Sequence, residues 1–268
     1  MCITASARLF RFATLIGVLT WTVSAFAQVS TYYIDEDTNY ENGNKCDVVT
    51  VNTITSSLQT QLNADGWTGQ RWTEFSAWPQ DFWEASSSVY GTSGADSYYG
   101  DNGAITVFAG HGAAHHIHFS NTGNEGVYNG STQCDTDMQY NARLGELAGA
   151  KAGFGMWLAC EVVQVSELAS IWELHRLQQI VGFTGDAVIG DGNAPLDFYN
   201  ETATSSNVTA WDNVMSSQGA GPIIATFSNI SMTQCWGTHD ESQLKYGGGT
   251  YTQTSNPQYV CYSTWPGT

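Results

Sequence analysis

The chain has 268 residues, with 8 basic against 25 acidic side chains and a formal net charge of −17. So acidic a surface repels nucleic-acid phosphates and anionic lipid, which excludes both as partners. The length suits one α/β domain with a sizeable core, and no internal repeat or low-complexity linker divides it. The acids of Asp35-Glu36-Asp37 and of residues 96–101 lack the twelve-residue spacing of a calcium loop, so they read as solvated faces.

Residues 1–27 read as a secretory signal. Arg8 and Arg11 supply the positive region, residues 12–23 the apolar region, and Ala25-Phe26-Ala27 a small-x-small cleavage pattern. The apolar run is short for a bilayer span, so cleavage before Gln28 is expected. The product is then a secreted or periplasmic domain over residues 28–268, with no membrane segment. Cleavage removes Cys2 and leaves Cys46, Cys134, Cys160, Cys235 and Cys261. An odd count in an oxidising compartment predicts two disulfides and one free thiol. Cys160 ends an apolar run, whereas the other four lie in polar surroundings. Cys160 is therefore the expected free thiol, with Cys46–Cys134 and Cys235–Cys261 as the expected pairs.

In chain order, residues 29–34 predict a first strand. The apolar spacing over 47–64 predicts a helix stopped by Asp65-Gly66. Residues 67–75 predict a second strand, and 76–103 a long loop rich in Trp, Tyr, Ser and Gly. Its aromatics either cap the core or bind a carbohydrate or peptide side chain, core packing being the commoner use. A strand over 105–109 follows, then an insertion over 113–139 and a short helix over 140–150. A strand ending at Ala159, a helix over 161–179 and a strand over 180–189 come next. A helix over 198–217 and a last core strand over 222–227 precede a Gly/Thr/Tyr-rich β-hairpin flap over 229–268, held by a disulfide. This alternation predicts a three-layer α/β fold. About six mostly parallel strands should carry helices on both faces, with the 105–109 and 156–159 strands adjacent.

Those two strands hold the strongest functional signal. The run Ile105-Thr106-Val107-Phe108-Ala109-Gly110 stops on His111-Gly112, and Gly155-Met156-Trp157-Leu158 stops on Ala159-Cys160. Ligands of open parallel sheets bind beyond the carboxyl ends of the strands. An imidazole and a thiol there suit nucleophilic cysteine chemistry.

This ordered pairing resembles the caspase-like superfamily of cysteine peptidases, which includes legumains, gingipains and caspases. The stretches Trp172-Glu173-Leu174-His175 and Ile180-Val181-Gly182-Phe183 look like a little-characterised family of secreted bacterial proteins with that fold. The resemblance implies a peptide or protein substrate, Cys160 as nucleophile, His111 as base and the backbone amides of Gly112 and Cys160 as the oxyanion hole. A side chain at Gly112 would crowd the scissile carbonyl. Asp186 would sit where substrate-recognition residues lie and would favour a basic residue. The caspase pentapeptide is absent, since Glu161-Val162-Val163 follows Cys160, so aspartate specificity is not implied.

Two other readings stay open. One is a caspase-like fold without activity, used for binding. The other is a zinc or copper site built from His115, His116 and His118 near His111, with Asp135 and Asp137 as outside ligands. The dyad itself requires no cofactor; calcium or zinc belongs to the alternatives.

Overall fold

The two continuous apolar runs become adjacent central strands. A computed structural model describes residues 30–38, 53–83, 94–119, 135–137, 144, 152–168, 177–187, 189, 192–219, 221–247 and 257–266. The main sheet contains β1 (Thr31–Glu36), β2 (Thr68–Thr73), β3 (Ile105–Ala109), β7 (Phe154–Leu158), β8 (Gln179–Phe183), β9 (Pro222–Ser228) and β10 (Tyr259–Thr264). Their order is β10-β9-β8-β7-β3-β1-β2. The strands from β2 to β8 are parallel, while β9 is antiparallel to both its neighbours. β3 and β7 are buried at every position, as strands covered on both faces must be.

One face carries Ile34, Val107, Met156, Val181 and Ile224. Against it pack α1 (Ser56–Ala64), α2 (Ala194–Glu201) and α3 (Asn207–Met215) through Leu58, Leu62, Phe198, Trp211 and Met215. The other face carries Tyr33, Phe108, Trp157, Ile180 and Ile223. Phe82 sits 6.1–6.2 Å, centroid to centroid, from the rings of Tyr33, Phe108, Phe119 and Trp157. Among the described residues of the 76–103 loop, Phe82, Trp83 and Tyr99 thus serve the core. Tyr98, by contrast, is 75% exposed.

α1 begins where strand β1 ends. The Glu36 carboxylate accepts the Ile54 and Thr55 amides at 2.9 and 3.0 Å and pairs with Arg71 at 2.9 Å. A buried carboxylate thereby satisfies orphan donors at a helix start and is itself neutralised. The acidic runs are accordingly not solvated: Asp35, Glu36, Asp37, Asp96 and Asp101 are all buried. Asp35 and Glu36 end strand β1, Asp37 follows it, and Asp96 and Asp101 lie ahead of β3, a placement that spacing alone did not reveal.

Several elements differ from expectation. The sheet has seven strands, because the expected C-terminal flap supplies α4 (Met232–Glu241), α5 (Leu244–Gly247) and the edge strand β10. Cys235 of α4 and Cys261 of β10 are disulfide-bonded, with Cα atoms 6.0 Å apart. The 198–217 helix is two helices. Thr202 closes the first by bonding the Tyr199 carbonyl, and Ser206 caps the second at the Thr209 amide. The strand expected to reach 189 stops at Phe183, and beyond it Ala187 makes an isolated bridge to Gly219. Among the described residues the α-helices lie on one face. Residues 161–168 of the second face form turns and one short 3-10 turn, Val165–Glu167, instead of a helix. Within the insertion, β4 (His111–Ala113), β5 (His116–His118) and β6 (Asp135–Asp137) form a small antiparallel sheet. Cys46, Cys134 and all of the expected 140–150 helix but residue 144 lie outside the described residues. No helix among those described is long and apolar enough to cross a membrane.

A buried polar chain ties the C-terminal region down. Asn207 donates to Gln179 at 2.6 Å, and Gln179 donates to the Thr226 hydroxyl at 2.9 Å. His239 lies 2.9 Å from both Thr226 and Ser263 through its two ring nitrogens. Burial lowers the His239 pKa to about 4, with Asp240 pulling the other way. The unfolded chain therefore takes up this proton first. Stability should fall as pH drops from about 6.5 toward 4, by up to ~3 kcal/mol. Urea midpoints of wild type and His239→Asn, measured from pH 7.5 to 4, should converge toward the acid end. Parallel curves would contradict this origin of the slope.

Candidate active site

The register of β3 on β7 pairs Ala109 with Leu158, so both strands end level. Beyond that line the Gly110 amide still bonds the Leu158 carbonyl at 3.2 Å. His111-Gly112 and Ala159-Cys160 consequently leave the sheet side by side. Gly112 makes the contact tight. A Cβ there would lie 2.7 Å from the Cys160 carbonyl oxygen, 2.7 Å from Val162 Cγ2 and 2.9 Å from Ala159 Cβ. The crowding that requires glycine therefore comes from the chain's own Cys160 carbonyl, where the scissile carbonyl was expected.

After Cys160 the chain turns sharply, and Glu161 takes a left-handed φ of 57°. The Glu161 amide bonds the Gly185 carbonyl at 2.9 Å, and the Val163 amide bonds the Phe183 carbonyl at 3.2 Å. These bonds draw the 184–187 loop over the thiol. Cys160 is the free cysteine among the described residues, half-buried, and its sulfur accepts the Ala187 amide at 3.3 Å. Asp186, expected as a recognition residue, lies exposed on this loop. Sequence reasoning missed Ala187 and Glu161. Gly185, a turn signal one position before the expected recognition residue, was the available hint.

An imidazolium beside a thiol would lower its pKa. Burial instead pushes the Cys160 thiol up, and the Asp186 and Glu161 charges push the same way. The Ala187 amide and the residue's own amide oppose them. The resting site holds a protonated sulfur, so reaction requires a base to take the proton.

The base expected for that task, His111, opens strand β4. The hairpin pairs His111 with His118, Gly112 with Ile117 and Ala113 with His116, and closes through a left-handed His115 at φ 55°. His116 and His118 stack with ring centroids 6.3 Å apart, and His115 lies 4.6 Å from His116. β6 sets Asp135 at the register position of His118 and Asp137 at that of His116. Among the described residues no group of three or more His, Cys, Asp or Glu is arranged to hold a metal ion. The structure thus brings together Gly112, Cys160 and the Asp186 loop through backbone contacts, with the histidine hairpin adjoining them.

Two measurements test this picture. Iodoacetamide labelling of Cys160 should have an apparent pKa above the ~8.5 of a free cysteine. Asp186→Asn should lower it; a labelling pKa well below 8.5 in wild type would contradict the raised thiol. Gly112→Ala should cost about 1–3 kcal/mol in thermal or urea unfolding, because the obstructing atom is backbone that cannot rotate away.

No curated protein matches this sequence. A family model does, over residues 35–257, and it takes in five whole strands of the main sheet (β2, β3, β7, β8 and β9), the histidine hairpin and the thiol: the chain belongs to the family described as "Domain of unknown function (DUF6345)".

Proposed function

We propose that the protein is a secreted cysteine endopeptidase of caspase-like type, working through His111 and Cys160. The observation that carries this reading is the close approach of Gly112 to the Cys160 carbonyl at the level carboxyl ends of two adjacent parallel strands. Such strand ends are where ligands of open α/β sheets bind. The Cys235–Cys261 bridge supports an oxidising compartment.

The chemistry starts from the protonated thiol. His111 takes the Cys160 proton as the sulfur attacks the substrate carbonyl. The oxyanion forms beside the Gly112 and Cys160 backbone, where amide donors would stabilise it. His111 returns the proton to the leaving amine as the C–N bond breaks, leaving a Cys160 thioester. Water, deprotonated by His111, then cleaves the thioester and regenerates the thiol. Asp186 on the thiol loop favours a basic side chain next to the scissile bond.

Cleavage of a fluorogenic peptide library tests this. Cys160→Ala and His111→Ala should each reduce turnover about 1,000-fold or more, with folding intact. Chelator should leave wild-type activity unchanged. Activity that survives Cys160→Ala ends the reading. No turnover on any peptide favours the binding module, and loss of activity on chelation favours the histidine metal site.

A further inference from the structure

A second cleft lies at the opposite end of the sheet, about 16 Å of strand length from the thiol, counting five steps along β1. It has a volume of about 310 Å³ and opens at the amino ends of β1 and β2. That is the small end of the range for ligand pockets, which suits a ligand of one or two rings. Its walls include Thr68, Gln70, Tyr98, Tyr99 and Asn102.

The lining has a distinctive chemistry. Among the described residues no acidic or basic side chain lines this cleft. Nearby Arg71 is occupied, paired with Glu36. The groups that remain are amides, hydroxyls and aromatic rings. Among the described residues, the side-chain amides of Gln70 and Asn102 and the hydroxyls of Thr68 and Tyr98 make no intramolecular hydrogen bond. Each of these can both donate and accept. Ligand hydroxyls have the same dual character, whereas a charged ligand would find no counter-charge among the described lining residues.

The platform is built in advance. Tyr98 and Tyr99 sit on a compact turn, their amides bonded to the Ala95 and Asp96 carbonyls at 2.9 and 3.0 Å. Buried Asp96 holds the turn through the Ser97 amide at 2.7 Å, and its carbonyl accepts the Asp101 amide at 2.8 Å. Tyr99 wedges between Tyr33 and Trp72, 5.6 and 6.4 Å away. Thr31 fixes the Asn102 carbonyl at 2.8 Å. Tyr98 is left as an exposed ring beside free amides, a flat apolar face on which the C–H face of a sugar ring can stack. Gln70 stands on β2, the terminal strand of the sheet, so a ligand longer than the cleft can extend outward.

We infer that this cleft is a binding site for neutral oligosaccharide, separate from the Cys160 site. Tyr98 stacks on a sugar ring, while Gln70, Asn102 and Thr68 hydrogen-bond its hydroxyls. The site would hold the enzyme on a polysaccharide or glycosylated surface while the other end of the sheet meets its substrate.

The test uses the full secreted chain. A glycan array followed by calorimetry would present neutral glucose, galactose, mannose and N-acetylglucosamine oligomers, with polyuronates and sulfated glycans as charged controls. At least one neutral series should bind. Tyr98→Ala should weaken that binding at least tenfold, with smaller losses for Gln70→Ala and Asn102→Ala. Cys160→Ala should bind as wild type does, which separates this site from the proposed peptidase. The Cys160 labelling rate serves as the folding control for the cleft variants. Failure of every neutral glycan to bind, preference for the charged controls, or binding indifferent to Tyr98→Ala would each overturn the inference.

Discussion

One backbone register governs the rest of the molecule: Ala109 opposite Leu158. Through it the two central strands stop at the same level, where their apolar residues run out. The residues just beyond the two strand ends must then share a small space. Gly112 resolves the conflict by having no Cβ, and the Cys160 carbonyl oxygen lies 2.7 Å from where that Cβ would be. The loop after β8 closes over the same point through backbone bonds of Glu161 and Val163. A side chain larger than hydrogen at residue 112 would push the hairpin off β7, and the 184–187 loop would lose its support.

The acidity of the chain has two parts with different consequences. One part is surface charge: Asp65, Glu161, Asp186, Asp197, Asp240 and Glu241 are exposed. The part at the carboxyl end of β1 is buried and managed group by group. Glu36 is neutralised by Arg71 and by helix amides. Asp35 and Asp81 instead meet at the Tyr33 hydroxyl, 2.8 and 2.9 Å away. Burial pushes Asp35 well above the usual carboxylate range, and Asp81 up to about 6. Two buried carboxyls this close cannot both ionise cheaply, so they share a proton. The sign is opposite to that of His239. The pair's contribution is fully present below the unfolded aspartate pKa of about 3.9 and is lost as pH rises through the folded values. His239 loses stability in acid and the aspartates lose it toward neutrality, so the two partly cancel between pH 4 and 6.5.

The sequence made legible what depends on local pattern. Strands β3 and β7 were readable because continuous apolar runs between glycines have few other uses, and their adjacency came from fold class. Cys160 was readable as the free thiol from an odd count. That the C-terminal strand joins the main sheet was not, because a Tyr/Thr-rich run reads as a surface hairpin until a neighbour such as β9 offers it an edge. The break between α2 and α3 was in principle visible, since Ser206 is a helix-capping residue followed by apolar spacing. The thiol's raised pKa was not visible at all. It arises from burial and from Asp186, 26 positions away in the chain and brought close only by the closing loop.

The histidine hairpin shows how little fixes a site once its frame is set. Ile117 is fully buried with Phe108 and Phe119, and its register partner Gly112 faces the Cys160 carbonyl. His111, His116 and His118 occupy the alternate positions and stay half-buried. A slip of one residue would exchange these sets. It would expose the isoleucine, at a cost of about 1.5–3 kcal/mol, and would press imidazoles into an aromatic core. The turn agrees with the strand: Ala114 and left-handed His115 form a two-residue connection that fixes the same pairing. His115 bears a backbone strain of about 1–2 kcal/mol there, less than the slip would cost. One isoleucine and one strained turn therefore set His111 at the start of its strand, level with the end of the Cys160 strand.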